Sequence, residues 1–174
     1  MTKKLILLRH AKSFWGEHGR LSFAGNDHDR PLNKRGRKAA KLMFHHFLER
    51  NIEVDVIFSS SAKRARQTLT PFKKKFNYKI QNKLYTFNYY HLLEFLKGVD
   101  DKFENVMLIC HNPSIQDFCC KYIINDNNAE FLNLKSKYPT CAASILKSHT
   151  SKWSMIGKIG FELEKFIIPK SISD

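Results

Sequence analysis

Three short apolar runs constrain this chain more than any other feature: Leu5-Ile6-Leu7-Leu8, Val54-Asp55-Val56-Ile57-Phe58 and Val106-Met107-Leu108-Ile109-Cys110. None alternates apolar with polar residues, and none is long enough for a helix of its own. Each therefore reads as a strand buried on both faces, the habit of parallel sheets. Helical patterns lie between and after them. Behind Asn33, a predicted N-cap, Ala40, Met43, Phe44, Phe47 and Leu48 recur at i, i+3 and i+4. Ala62, Ala65, Leu69 and Phe72 mark a second helix, which Pro71 should break or kink near Thr70. Tyr89, Leu92, Leu93 and Leu96 mark a third within residues 86–97. Ile115, Phe118, Cys119, Tyr122 and Ile123 mark a fourth, with Pro113 suited to its first position. Further strands are predicted at residues 142–146, 78–80 and 161–168. Strands alternating with helices predict an α/β fold, a three-layer α/β/α arrangement around a central, mostly parallel sheet.

The 174 residues suit a single domain spanning 1–174, and 43% hydrophobic residues are enough to bury a core. The 14 phenylalanines read as core filler. Cys110, Cys119, Cys120 and Cys141 have neither CxxC nor Cys/His spacing, so neither a disulfide framework nor a zinc site is expected. They look like small buried residues of a reducing compartment. The first apolar run is too short for a secretory signal, and no stretch approaches membrane-spanning length. A soluble, cytoplasmic protein with no membrane partner is expected. A formal charge of +14 favours anionic partners, either nucleic acid or phosphorylated molecules. The lysines are spread over residues 34–41, 73–75 and 147–170, which reads first as solvated faces. His45 and His46 are neighbours on a predicted helix and face different directions, so a shared metal is not expected. Residues 14–30 form a long polar loop, of a kind that is often functional.

Each of the three strongest strands ends in a residue with phosphate chemistry. The first ends at Arg9-His10. The second ends at Ser59-Ser60-Ser61 and runs into a helix holding Arg64. The third ends at His111. In open α/β sheets ligands bind outside the carboxyl ends of the strands. If these strands are parallel neighbours, Arg9, His10, Arg64 and His111 meet at one rim. Each residue alone is more often structural than catalytic. Their joint occurrence at three strand ends points to chemistry.

Leu7-Leu8-Arg9-His10-Ala11-Lys12-Ser13 resembles the signature of the histidine phosphatase superfamily, also called phosphoglycerate mutase-like. Ser59-Ser60-Ser61-Ala62-Lys63-Arg64-Ala65-Arg66-Gln67-Thr68 is similar to its second motif, and Cys110-His111-Asn112-Pro113 to its third. Asp29-Arg30-Pro31-Leu32-Asn33-Lys34-Arg35-Gly36, Lys83-Leu84-Tyr85 and Tyr138-Pro139-Thr140-Cys141-Ala142 resemble stretches of the small SixA-type phosphohistidine phosphatases. The resemblance covers about residues 3–147. It implies a phosphoglycerate mutase-like fold and a phosphatase working through a covalent phosphohistidine on His10. The chain departs from the mutases at Ala11 and Cys110, where they usually carry Gly, and at Gly16, where they carry Asn. It also lacks a carboxylate where larger members hold their general acid. These departures imply the short phosphatase type and leave the proton donor unassigned.

In this reading Arg9 and Arg64 lower the pKa of His10, so that its imidazole attacks phosphorus in the neutral form. Arg9, Arg64 and His111 bind the phosphoryl oxygens. Ser13 and Asn112 hold loops or touch the substrate, and Arg30 contacts substrate or pairs with Asp29. Asp27, Asp29 and Glu17 are the nearby carboxylates and read first as loop caps or solvated groups. No metal and no cofactor is implied. The expected substrate is a phosphorylated protein carrying phosphohistidine. The alternatives are a small phosphate ester or, in a different class, a basic nucleic-acid-binding module. The last is disfavoured because no aromatic–basic nucleic-acid motif is present, so no nucleic acid partner is expected.

Overall fold

The computed structural model describes residues 1–15 and 25–172. Gly16 and Glu17, and the stretch 16–24 of the long loop, lie outside the described residues. Six strands form one sheet in the order β3-β2-β4-β1-β5-β6. They are β1 (Lys3–Arg9), β2 (Val56–Ser60), β3 (Tyr78–Gln81), β4 (Asn105–Cys110), β5 (Ala143–Ser148) and β6 (Glu162–Ile167). β3, β2, β4 and β1 are parallel. β5 runs antiparallel to β1, and β6 antiparallel to β5. The sheet is therefore mixed, with a parallel majority.

The apolar runs behave as two-sided strands. In β1, Leu5 and Leu7 join one core, while Ile6 and Leu8 join the other. In β4, Val106 and Leu108 face the first core, and Met107 and Ile109 the second. Helices α1 (Lys34–Glu49) and α2 (Lys63–Leu69) close the second face through Ala40, Met43, Phe47, Ala65 and Leu69. Helices α3 (Tyr89–Lys97), α4 (Ser114–Tyr122), α5 (Ala129–Ser136) and the short α6 (Ile156–Ile159) cover the first. Every fully buried leucine or isoleucine contributes roughly 1.5–3 kcal/mol. Three layers result, as the alternation of elements predicts. No described helix is long and apolar enough to cross a membrane.

Several local expectations need correction. β2 begins at Val56 rather than Val54; just before it, the Asp55 side chain accepts from the backbone N–H groups of Glu104 and Asn105 at 2.7 and 2.8 Å. Pro113 is the N-cap of α4, one position before its first turn. α3 starts only at Tyr89, where the Asn88 side chain accepts from Tyr90 N–H. α5 was not expected, since it buries only Phe131 and Leu134 and shows little periodicity. Leu48 is exposed at the end of α1, and Phe14, Phe87 and Cys120 are exposed rather than core.

The predicted α1 cap is present: Asn33 accepts from Gly36 N–H at 2.8 Å. Gly36 is also the point where α1 meets the β1 loop. A Cβ there would stand 2.1 Å from the Lys12 carbonyl oxygen, so only glycine allows this approach. β1 leads into α1 on one face of the sheet, and its neighbour β4 leads into α4 on the other. The chain leaves two adjacent strands in opposite directions, which opens a crevice at their carboxyl ends.

Candidate active site

The carboxyl ends of β1, β4 and β2 bring Arg9, His10, Arg64 and His111 together. Arg9 N–H donates to Ala142 O and His10 N–H to Cys110 O, both at 3.0 Å, so the end of β1 is gripped from both sides. Cys141 N–H donates to the carbonyls of Arg9 and His10 at 3.1 Å. It does so from a left-handed backbone conformation, φ 63°, which is uncommon for a residue with a Cβ. Ala11 N–H donates to Thr68 Oγ1 at 2.9 Å, and the Thr68 hydroxyl donates to Arg64 O at 2.7 Å. Thr68 thus ties the β1 loop to the helix that carries Arg64.

The tautomer of His10 is set by its partners. Nδ1 stands 2.8 Å from Ala11 O, and a carbonyl can only accept, so Nδ1 carries the hydrogen. Nε2 then holds the lone pair, and Arg64 Nε–H donates to it at 3.3 Å. His10 is buried, and its ring centroid lies 5.1 Å from that of His111. Its pKa is held well below 6.5. Burial is the main cause, then His111, with Arg64 and Arg9 adding to it against the Ala11 hydrogen bond. The arginines act in the expected direction, but desolvation leads.

His111 is fully buried beneath the rings of His10, Tyr85 and Phe87. Its Nε2 lies 2.7 Å from Ser60 Oγ, which also accepts from Ala62 N–H at 3.3 Å. With one lone pair of Ser60 so used and no other acceptor bonded to its hydroxyl among the described residues, the Ser60 O–H is free to donate to His111 Nε2. In that arrangement Nδ1 carries the hydrogen; Nδ1 has no partner among the described residues. Burial, followed by Arg64, pushes the His111 pKa down to about 3.

Arg9 donates from one terminal nitrogen to Tyr138 O at 2.6 Å, while its buried Nε has no partner among the described residues. Asn112 donates to Gln116 Oε1 at 3.1 Å and Tyr138 O at 3.5 Å, and its buried Oδ1 has no partner among the described residues. Ser13 is buried and accepts from Arg30. Arg30 pairs with Asp27 at 2.9 Å, not with Asp29, and stacks 3.8 Å from the Trp15 ring. Asp29 stays outside, 3.5 Å from His28 on the surface.

Asp27 is more than the loop cap expected of it. Its Oδ2 accepts from Arg64 at 3.0 Å and from the Tyr85 hydroxyl at 2.8 Å, its Oδ1 from Arg30, and its backbone carbonyl from Arg64 at 2.7 Å. Partial burial pushes its pKa up, but the Tyr85 hydrogen bond, Arg30 and Arg64 outweigh this and hold it at about 2. These groups line a cavity of about 840 Å³. Among the described residues five cations, Arg9, Lys12, Arg30, Arg64 and Lys137, face one carboxylate, Asp27, and the rings of Trp15, Tyr85 and Phe87 form an aromatic wall. Among the described residues no group of three or more His, Cys, Asp or Glu side chains is placed to hold a metal ion.

The family model of the histidine phosphatase superfamily, branch 1, matches residues 5–84, which include the first two motifs and Asp27. A structure from Nakamurella multipartitia, named for the SixA phosphohistidine phosphatases, superposes with a TM-score of 0.82 at 23% identity, covering 97% of each chain. A second of that name, from Agrobacterium tumefaciens, gives 0.78 at 25% identity, over 96% of this chain and 98% of the other.

Over residues 5–84, a little under half its length, the chain is similar to the histidine phosphatase superfamily. The resemblance drawn from the motifs stands, and with it the class of a phosphatase hydrolase. A mycobacterial glucosyl-3-phosphoglycerate phosphatase in complex with VO3 shares the fold more distantly, with a TM-score of 0.64 at 14% identity, over 94% of this chain and 98% of the other.

Sequence reasoning about this chain missed the parts of the site that act through other residues. Thr68, Ser60 and Tyr138 belong to stretches recognised as motifs, yet nothing in the string says that they hold Ala11, His111 and Arg9. Tyr85 and Phe87 lie on the connection into α3. Only the tertiary fold carries them over His111.

Proposed function

We propose that this histidine phosphatase is a metal-independent enzyme that hydrolyses protein phosphohistidine through a phosphoryl group carried on His10 Nε2. One observation carries the reading: His10 gives its Nδ1 hydrogen to Ala11 O and turns the Nε2 lone pair toward the Arg64 guanidinium. The low pKa of His10 keeps that lone pair available at neutral pH. An entering phosphoryl group takes the Arg64 Nε–H onto an oxygen and frees the lone pair. The Nε2–P bond forms as the substrate P–N bond breaks, and the substrate ring, protonated on its other nitrogen, keeps the electron pair and leaves as neutral imidazole. Water then attacks phosphorus, the Nε2–P bond breaks, and phosphate leaves with His10 restored. Arg9 and Arg64 stabilise the charge on the phosphoryl oxygens, and His111 Nδ1–H donates to one of them once the group sits on His10. Arg30, Ser13 and Asn112 shape the substrate side of the cavity.

Asp27 favours phosphohistidine over an ester. Held at about 2, it carries no proton at neutral pH to give an alkoxide leaving group. A phosphohistidine ring takes a proton on its free nitrogen near pH 6.5 and then departs as neutral imidazole, with no such donor needed. The likeness of the chain to two structures of SixA name supports the same substrate class. The second reading, a phosphomonoesterase for small molecules, draws on the size of the cavity, which far exceeds one phosphate. The free, mostly buried cysteines support a reducing, cytoplasmic setting.

Labelled phosphodonor tests this directly. Wild-type protein should take up label on His10, and His10→Ala should take up none and lose turnover; full turnover in that variant would remove His10 as nucleophile. A phosphohistidine protein should turn over faster than simple phosphate esters, and the reverse order would favour the second reading. Loss of activity with a chelator, restored by metal, would contradict the metal-independent scheme.

A further inference from the structure

A second, basic groove of about 540 Å³ continues from the catalytic cavity and shares Lys12, Pro139 and Thr140 with it. Its cations are Lys12, Arg35, Lys38 and Lys170, over a floor that includes Ala39 and Leu42, and among the described residues no carboxylate lines it. Elsewhere on the surface some lysines stand beside acids: Lys4 and Lys147 beside Glu164, Lys97 beside Glu94, Lys102 beside Asp100, Lys165 beside Glu130. Among the described residues, Lys12, Arg35 and Lys38 have no such neighbour. The first turns of α1 carry Lys34, Arg35, Arg37, Lys38 and Lys41 with no acid before Glu49. Cations there face the positive end of the helix dipole, so this charge works against the helix and is not explained by folding.

The groove is built on the catalytic backbone itself. Gly36 seats α1 on the Lys12 carbonyl, two residues past His10. Cys141 N–H, one residue past Thr140, holds the His10 carbonyl. The groove therefore adjoins the cavity on the side of Lys12, Arg35 and Lys38, within reach of a macromolecule whose phosphohistidine sits there.

We infer that this groove docks an acidic surface of the protein that presents the phosphohistidine. The inference rests on the phosphohistidine reading of the site. It makes the groove a determinant of which phosphoprotein is served, acting on encounter and binding rather than on the chemical step.

The test uses two synthetic peptides, each with one phosphohistidine, flanked by glutamates in one and by glutamines in the other. Wild-type enzyme should show a KM about tenfold lower for the acidic peptide at low salt, with equal kcat, and the preference should shrink toward about 0.15 M salt. In Arg35→Glu/Lys38→Glu the preference should vanish while kcat and turnover of the glutamine peptide are kept. Acid at a helix N-terminus is favourable, so this variant should melt no lower than wild type. Equal KM values in wild type, or a preference that survives charge reversal, would overturn the inference. So would an RNA oligonucleotide that displaces the unphosphorylated acidic peptide at lower concentration than that peptide displaces itself. If neither peptide is turned over, the phosphohistidine reading falls. The groove is then decided separately by fluorescence anisotropy of the unphosphorylated acidic peptide, where binding equal in wild type and variant would sink it.

Discussion

Single residues decide whether His10 and His111 are usable, and they do so through hydrogen atoms. Ala11 O fixes one ring and the Ser60 hydroxyl the other. Ser60→Ala leaves His111 Nε2 without its partner and lets the ring take the other tautomer. The expected result is a kcat about tenfold lower with KM little changed, a loss of about 1.4 kcal/mol in the barrier. An unchanged kcat would show that Ser60 does not set the tautomer. Both histidines also make stability depend on pH. Their pKa values are depressed in the folded chain, so unfolding takes up protons once the pH falls below about 6.5. Stability is complete above that value and is lost as the pH falls toward about 3 for His111, at up to ~1.4 kcal/mol per pH unit for each group. Asp27, depressed to about 2, acts only below the usual carboxylate range and leaves this window to the histidines. Urea melts from pH 7 to pH 4.5 should show the decline, and a flat profile would contradict it.

At the scale of elements, helices hold the loop that follows β1 through very few contacts. α1 reaches the β1 loop at Gly36, and α2 reaches it at Thr68. Gly36→Ala places a methyl against the Lys12 carbonyl and should cost ~1–3 kcal/mol of stability, roughly 5 °C in Tm. Activity should fall further than stability explains, because the displaced segment leads back to His10. A variant of wild-type activity and Tm would mean that the loop yields without cost. The Asn33 cap, the Ala40–Met43–Phe47 stripe and the break at Pro71 are all visible in the string, since each depends on local chemistry. α5 is not, because its two buried side chains make no periodic pattern and matter only against the sheet.

For the whole molecule, the +14 charge is distributed unevenly in effect. A few lysines stand beside acids, while among the described residues the cavity and the adjoining groove hold cations in large excess. Turnover of an anionic substrate should therefore fall severalfold in kcat/KM between ~20 mM and ~200 mM salt, with kcat nearly constant. A salt-independent kcat/KM would assign the charge to solvated faces alone.

The layered α/β architecture and the four residues at the strand ends were determined by the sequence itself. Two-sided burial leaves continuous apolar runs, and a parallel sheet gathers the residues just past those runs at one edge. The tertiary structure alone decided what surrounds them. Asp27 reaches Arg64 across 37 positions and Tyr85 across 58, and Tyr138 meets Arg9 across 129. Separations of that size leave no spacing to read. The same holds for burial, which outweighs the arginines in lowering the pKa of His10 and exists only once three layers have closed over the ring.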